Sequence, residues 1–140
     1  MKRQAKKRQP KKRDIPRPYA GGEWTASRFR SFVMSALRGA RWPVKYAAIN
    51  SAFVTYGINP QTGRKCKLHK CAWCKGLFPQ SKVQADHINP IVPVTGFDSW
   101  DAVIGRNFCE IEGYQILCES CHLVKTNQEK EQRLEHQSKQ

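Results

Sequence analysis

Two C-x2-C pairs, separated by residues 75–117, constrain this chain more than any other feature of its sequence. The pairs are Cys71-Ala-Trp-Cys74 and Cys118-Glu-Ser-Cys121. Each turn of this kind can present two thiolates to one ion, and two turns complete the tetrahedral four-sulfur shell of a closed structural zinc site. A redox dithiol is the alternative for a single pair, but two pairs favour zinc. The sequence therefore predicts that one zinc ion joins two distant segments.

The charge of the chain is strongly basic. The 140 residues include 25 Lys and Arg against 11 Asp and Glu, a formal net charge of +14, which indicates a polyanionic partner. Nucleic acid is favoured over a membrane surface, because no apolar run reaches the roughly 18 residues of a membrane span and no apolar signal core opens the chain. We therefore expect a soluble, cytoplasmic protein with reduced cysteines. Cys66 and Cys109, outside the pairs, are predicted to be small buried side chains.

Residues 1–22 are predicted to be a disordered basic arm. Nine Lys or Arg stand against the single Asp14 within the first twenty residues. Such an arm can neutralise phosphates without reading bases, and the alternative is a tail that only aids solubility. The arm residues predicted to bind DNA are Lys2, Arg3, Lys6, Lys7, Arg8, Lys11, Lys12 and Arg13.

Residues 23–58 are predicted to form a helical hairpin, followed by a linker at 59–65. Thr25 is the expected N-cap of the first helix, Pro43 opens the second helix and Gly57 closes it. The basic residues on the polar positions of this hairpin are candidates for contacts with the DNA backbone: Arg28, Arg30, Arg38, Arg41 and Lys45.

Residues 66–128 are the predicted zinc-containing domain, and residues 129–140 are the predicted polar end of a helix or a tail. Within the domain, Asp98 is the expected N-cap of a short helix. If residues 118–122 begin another helix, successive side chains lie about 100° apart, so His122 points away from the cysteine site. Four sulfurs also leave no vacancy in a tetrahedral shell. His122 is therefore free to serve a second site.

The candidate partners of His122 are Asp86 and His87, which end the strand-like run "VQADH". The order C-x2-C, Asp-His, C-x2-C-His, with Lys125 and Thr126 close behind, resembles the HNH endonuclease family. The resemblance is closest to the small zinc-containing HNH proteins of bacteriophages, and it covers residues 71–126.

This resemblance implies an α+β fold, in which a small ββα-metal core is stapled by the four-cysteine zinc site and preceded by the hairpin and the arm. It implies metal-dependent hydrolysis of phosphodiester bonds in double-stranded DNA, by nicking or double-strand cutting. Asp86 and His122 would hold a divalent ion (Mg2+, Mn2+ or Ni2+), and His87 would be the general base. The products would carry a 5′ phosphate and a 3′ hydroxyl. The setting would be the cytoplasm of a bacterial host, with a phage packaging or replication protein as a candidate partner.

Two features depart from the resemblance. Strict alternation along a strand would send Asp86 and His87 to opposite faces, so both serve one site only where the strand bends or ends. Gly113 stands where the family has its middle Asn, and Asn107 is a candidate replacement. Gly113 favours an alternative, a zinc-stapled DNA-binding or phage assembly protein with weak or partner-dependent nuclease activity. An RNA-binding zinc ribbon is a third hypothesis, but it has no use for His122 beside the Asp-His pair.

Deleting residues 1–18 should weaken DNA binding and flatten its salt dependence. The reason is that log affinity falls by about 0.9 per unit of log salt for each phosphate that a protein neutralises. Fluorescence anisotropy on a duplex at several salt concentrations measures this slope. A slope that stays the same after the deletion would identify the arm as a solubilising tail.

Overall fold

The fold is that of a computed structural model, which describes residues 14–140. These residues contain four α-helices and two small antiparallel sheets, so the predicted α+β class is confirmed. The helices are α1 (Ala26–Gly39), α2 (Pro43–Ser51), α3 (Trp100–Asn107) and α4 (Glu119–Ser138). The strands are β1 (Phe53–Ile58), β2 (Lys65–Lys70), β3 (Leu77–Pro79), β4 (Val83–His87) and β5 (Tyr114–Cys118). The eight predicted DNA-binding residues of the arm, from Lys2 to Arg13, lie outside the described residues.

The chain divides into two compact units, and the first ends at Gly39. Its described part contains α1, which Thr25 caps as predicted, because the Thr25 hydroxyl accepts a hydrogen bond of 3.2 Å from the Arg28 N–H. The Tyr19 ring stacks on the Phe29 ring with 4.1 Å between their centroids. These contacts fasten the turn before α1 to the first turns of the helix.

The second unit, residues 40–140, begins with α2 and a three-stranded sheet in the order β1-β2-β3. This sheet corrects the helical hairpin predicted at 23–58, because α2 ends at Ser51 and residues 53–58 form a strand in a different unit from α1. The stretch F-V-T-Y-G-I is rich in β-branched and aromatic residues, which favour strands. Most of the predicted linker is the turn between β1 and β2, where Gly63 has φ of 68°.

The strands β4 and β5 form a separate antiparallel pair with a different partner on each face. On one face, Tyr114 and Ile116 pack against Ala48 of α2 in a buried cluster. On the other face, Leu117 is fully buried beside Cys71. Because side chains alternate along a strand, β5 separates these two small cores. The pair β4–β5 therefore joins α2 to the cysteine segment.

The helix α3 begins one residue later than the predicted cap implies. Ser99 is the N-cap, and its hydroxyl accepts a hydrogen bond of 3.2 Å from the Ala102 N–H. Asp98 is instead paired with Arg106 at 2.7 Å. The hydrogen bond from Arg106 holds the pKa of Asp98 at about 2. The carboxylate is thus committed to the last turn of the helix rather than to its first amides.

The last helix, α4, follows β5 directly and continues through most of the segment predicted to be polar, to Ser138. Its outer positions are exposed, with Leu134 as much as 57% accessible. Within residues 14–140, no helix is both long enough and apolar enough to cross a membrane.

Replacing Leu117 with Ala should lower the free energy of unfolding by about 2–5 kcal/mol, because the side chain is fully buried and its loss leaves a cavity. Leu134→Ala is the matched control, and it should change stability by no more than about 0.5 kcal/mol because Leu134 is exposed. Urea unfolding followed by circular dichroism measures both. Similar losses for the two variants would contradict the position of Leu117 between the sheet and the cysteine cluster.

Candidate metal centre and active site

The four paired cysteines come together at one point between β5, α4 and the turn before β3. Their Sγ atoms all lie within 4.8 Å of one another, and Cys74 and Cys118 are 3.9 Å apart. A tetrahedral zinc ion with Zn–S bonds of about 2.3 Å places its sulfurs about 3.8 Å apart. Within the described residues, this is the one group of three or more Cys, His, Asp or Glu side chains close enough to share an ion. The cluster could therefore hold a metal ion.

The first cysteine pair is shaped by a tight turn. Cys71 accepts a hydrogen bond from the Lys75 N–H at its carbonyl and donates its own N–H to the Gly76 carbonyl. Lys75 has φ of 63°, in the left-handed region. A Cβ on Gly76 would lie 2.8 Å from the Phe78 ring, so a larger residue would require that ring to move. The turn thus brings two thiols to one side of a short loop.

The pKa values of two thiols in the cluster are shifted in opposite directions. Burial disfavours ionisation of Cys71, but N–H groups of Cys118, Cys74 and Trp73 outweigh it and lower the pKa of Cys71 to about 6. Burial and the neighbouring sulfurs raise the pKa of Cys121 to about 12. The negative charge of one thiolate therefore disfavours ionisation of the neighbouring thiol, and a bound cation would relieve this repulsion.

The structure brings Asp86 and His122 together at the first turn of α4, where His122 directly follows Cys121 in the sequence. Asp86 Oδ1 lies 3.6 Å from His122 Nε2, which is too long for a hydrogen bond. An ion with ligand distances of about 2.1 Å fits between two atoms at this separation. The Asp86 side chain is only 12% exposed, whereas His122 is 33% exposed. The pair offers one hard oxygen and one imidazole nitrogen at an accessible edge of α4.

The second carboxylate oxygen of Asp86 is already occupied. Lys125 Nζ lies 2.9 Å from Asp86 Oδ2, and the same ammonium donates to Glu129 Oε1 at 2.6 Å and to the His87 carbonyl at 2.9 Å. Burial opposes the charge of Lys125, but the carboxylates of Glu129 and Asp86 outweigh it and raise the pKa of Lys125. A charged lysine therefore fixes the carboxylate and leaves Oδ1 facing His122.

A second donor to Asp86 comes from β5. Gln115, the cross-strand neighbour of Asp86, donates from Nε2 to Asp86 Oδ2 at 3.0 Å. Its amide oxygen accepts a hydrogen bond of 3.2 Å from the Trp73 indole. Trp73 lies between the first two cysteines, so this chain of contacts links the cysteine turn to the carboxylate.

His87 ends β4 and is held by the last residue of α3. His87 Nε2 lies 3.1 Å from the Asn107 carbonyl, which can only accept, so Nε2 carries the hydrogen and Nδ1 has the free lone pair. Burial lowers the pKa of His87, and the Asn107 carbonyl and the charge of Asp86 only partly oppose this effect. The charges of Lys45 and Lys125 lower it further. His87 is therefore a neutral imidazole at pH 7.

Asp86 and His87 do lie on opposite faces of β4. Asp86 contacts Gln115 and the residues of α4, whereas the His87 ring packs on the Tyr114 ring, with 4.8 Å between centroids, on the α2 side. The strand pairing ends at His87, and the next N–H, that of Ile88, bonds to the Gly113 carbonyl. A substrate that meets both side chains must therefore approach the end of the strand.

Packing against Cys109 explains why a glycine stands at position 113. A Cβ at this position would lie 2.6 Å from Cys109 Sγ and 2.8 Å from Cys109 Cβ, so an asparagine does not fit without a shift of the backbone. The Cys109 carbonyl is in turn held by the Trp42 indole at 2.7 Å. Asn107, predicted as a replacement for the missing Asn, contacts His87 through its backbone. Cys66 and Cys109 lie outside the cluster, as expected, but they are half-buried rather than buried.

No protein-family model, curated protein or solved structure matches this chain. Any family assignment is therefore a proposal that rests on the residues themselves and on their geometry.

The side chains that hold Asp86 are not predicted by the sequence motif. Lys125 was included only as part of the motif, although Glu129 stands four residues later, a spacing that pairs charges on one helix face. Gln115 gave no such signal, because its contact depends on the register of β4 against β5.

Cys74→Ser should reduce the metal content of the purified protein well below one ion per chain. Cys74 is exposed, so the loss would come from the missing ligand rather than from packing. Cys66→Ser, at a cysteine outside the cluster, is the control and should keep a full ion. Elemental analysis, together with the absorption spectrum of the cobalt-substituted protein, reports occupancy and sulfur ligation. Full occupancy in the Cys74 variant would contradict a four-cysteine site.

Proposed function

We propose that this protein is a metal-dependent DNA endonuclease of the HNH type, with zinc in the four-cysteine cluster. The observation that carries the proposal is the pairing of Asp86 with His122 on a β4–β5–α4 unit, next to the neutral His87. Two short antiparallel strands followed by a helix are the arrangement that the ββα-metal resemblance implies. The net charge of +14 supports DNA as the substrate.

The side chains suit the chemistry of phosphodiester hydrolysis. Asp86 Oδ1 and His122 Nε2 would hold a divalent ion, which when bound stabilises negative charge on the phosphate and on the leaving 3′ oxygen. Lys125 and Gln115 keep the carboxylate turned toward His122. Asp86 is thus oriented by contacts that exist before any ion arrives, which favours precise ligation.

His87 would act as the general base. Its Nδ1 takes a proton from a water molecule, whose oxygen forms a bond to phosphorus as the bond to the 3′ oxygen breaks. The 3′ oxygen leaves with the bonding electrons and takes a proton from solvent, so the products carry a 5′ phosphate and a 3′ hydroxyl. The hydrogen bond from Nε2 to the Asn107 carbonyl stabilises the ring as it becomes positively charged.

The zinc site would have a structural role, which is to fix the start of α4. Cys121 and His122 are neighbours in the first turn of α4, and Cys118 is the N-cap of the same helix. An ion bound by the cysteines would therefore fix the start of the helix that presents His122 to Asp86. Closed four-sulfur sites of this kind stabilise folds and leave no position for substrate.

His87→Ala should reduce plasmid cleavage by about 10²–10⁴-fold, because general-base catalysis contributes rate factors of this size. The assay follows conversion of supercoiled plasmid to nicked or linear forms with Mg2+, Mn2+ or Ni2+. His136→Ala is the matched control, since His136 lies near the end of α4 and, among the hydrogen bonds of the described residues, its side chain contacts only Gln140. It should cut as the parent does.

Failure of the parent protein to cut plasmid with any of these ions would overturn the proposal that it is a nuclease. Equal cutting by the parent and the His87 variant would overturn the assignment of the base. Circular dichroism and metal content of the variant verify that the fold and the cysteine site are intact.

A second candidate function is a zinc-containing DNA-binding or phage assembly protein whose nuclease activity is weak or depends on a partner. Lys125 favours it, because an ammonium 2.9 Å from Asp86 competes with a divalent ion for the same carboxylate. Gly113, in place of the middle Asn, points in the same direction. Tight binding of duplex DNA without cutting, or cutting only after a partner is added, would favour this function over the first.

A further inference from the structure

The charges of the chain are segregated along the sequence in a way that the site does not explain. Between residues 40 and 85 there are eight Lys or Arg and no Asp or Glu. This segment forms α2, the β1-β2-β3 sheet and the first cysteine turn. Like charges concentrated in one segment, three of them on the strand β2, repel each other, so this composition costs stability unless an anionic partner compensates.

The first two strands of this sheet, β1 and β2, carry a cluster in which lysines lie over aromatic rings. Lys65 Nζ lies 5.1 Å from the centroid of the Tyr56 ring, and Lys67 Nζ lies 5.8 Å from that of Phe53. The two rings contact each other edge to face at 5.3 Å. Within residues 14–140, neither lysine forms an ion pair with a carboxylate. We call Phe53, Tyr56, Lys65 and Lys67 the lysine-aromatic face.

We propose that the lysine-aromatic face is a docking surface for the phosphate backbone of duplex DNA, outside the site of Asp86 and His122. The rings hold the two ammonium groups in place, so less side-chain entropy is lost when phosphates bind them. Lys65 and Lys67 are two residues apart on β2, so their side chains leave the same face about 6.6 Å apart along the strand. That arrangement lets each lysine meet its own phosphate.

Two other occupants fit the observations less well. A single strand would need open ring faces for its bases, but the lysine ammonium groups already lie over the rings. A second copy of this chain could pair with the exposed edge of β1, where Val54, Tyr56 and Ile58 are more than half accessible. Each copy would bring the excess positive charge of this segment toward the other, which opposes such pairing.

This inference shares with the proposed function the assumption that DNA is the partner, but it does not depend on cleavage. Binding is therefore measured with the full chain carrying His87→Ala, in buffer without added divalent ions. The double variant Lys65→Gln with Lys67→Gln should reduce the slope of log affinity against log salt by about 2, since each neutralised phosphate contributes about 0.9. Fluorescence anisotropy with a labelled duplex measures the slope.

The matched control is Lys130→Gln with Lys139→Gln, which removes the same charge from exposed positions within and just after α4. It should leave the slope unchanged. Tyr56→Leu keeps an apolar side chain but removes the ring, and it should weaken binding by about 2–5-fold, the factor expected from an exposed cation–π contact. Circular dichroism verifies that each variant is folded.

Equal slope changes in the two lysine pairs, or no change in either, would overturn the docking surface. A larger loss of affinity for a single strand than for the duplex would do so as well, as would a dimer in light scattering that the Tyr56 variant abolishes. A protein that binds through this face and never cuts would retain the surface and lose the nuclease. If the protein cuts DNA but the two lysine substitutions do not change binding, the nuclease proposal stands and the docking surface is wrong.

Discussion

The antiparallel pairing of β4 with β5 is the constraint on which the candidate site depends. Its register sets Asp86 opposite Gln115 and His87 opposite Tyr114, and the alternation of side chains then turns the first pair toward α4 and the second pair toward α2. A slip of one residue would exchange the two faces, which would bury the carboxylate against the apolar residues of α2. The buried side chains of β5 therefore maintain the position of the polar ones.

How much of this could be predicted from the sequence depends on the range of each contact. The spacing of the cysteines predicted their convergence, and helix geometry predicted that His122 turns away from Cys121, because both follow from local rules. The hydrophobic pattern failed at residues 53–58, where an apolar run fits either a helix or a strand until its partner β2 is known. Ser99 is the cap in place of Asp98 because Arg106, about two turns further along, pairs with the Asp98 carboxylate.

The contacts around Asp86 join residues that are distant in the sequence, so local rules do not predict them. Nothing in the local sequence joins Trp73 to Gln115 or Gln115 to Asp86, yet these two hydrogen bonds run from the cysteine turn to the carboxylate. Lys125 adds a positive charge that the motif alone leaves without a role. Polar groups at a partly buried site need such partners, since an unpaired carboxylate there would be costly. The residues that support a site are therefore harder to read from sequence than its ligands.

The close approach of Gly113 to Cys109 has a consequence for evolution. Because a Cβ at 113 would overlap both the sulfur and the Cβ of residue 109, position 113 cannot gain a side chain unless residue 109 or the backbone between them changes. In a related chain with this backbone, a side chain at the position of Gly113 would require a glycine at the position of Cys109, or a displaced loop between α3 and β5. Residues 109 and 113 should therefore covary, and the identity of one should report the conformation of the loop that ends at the other.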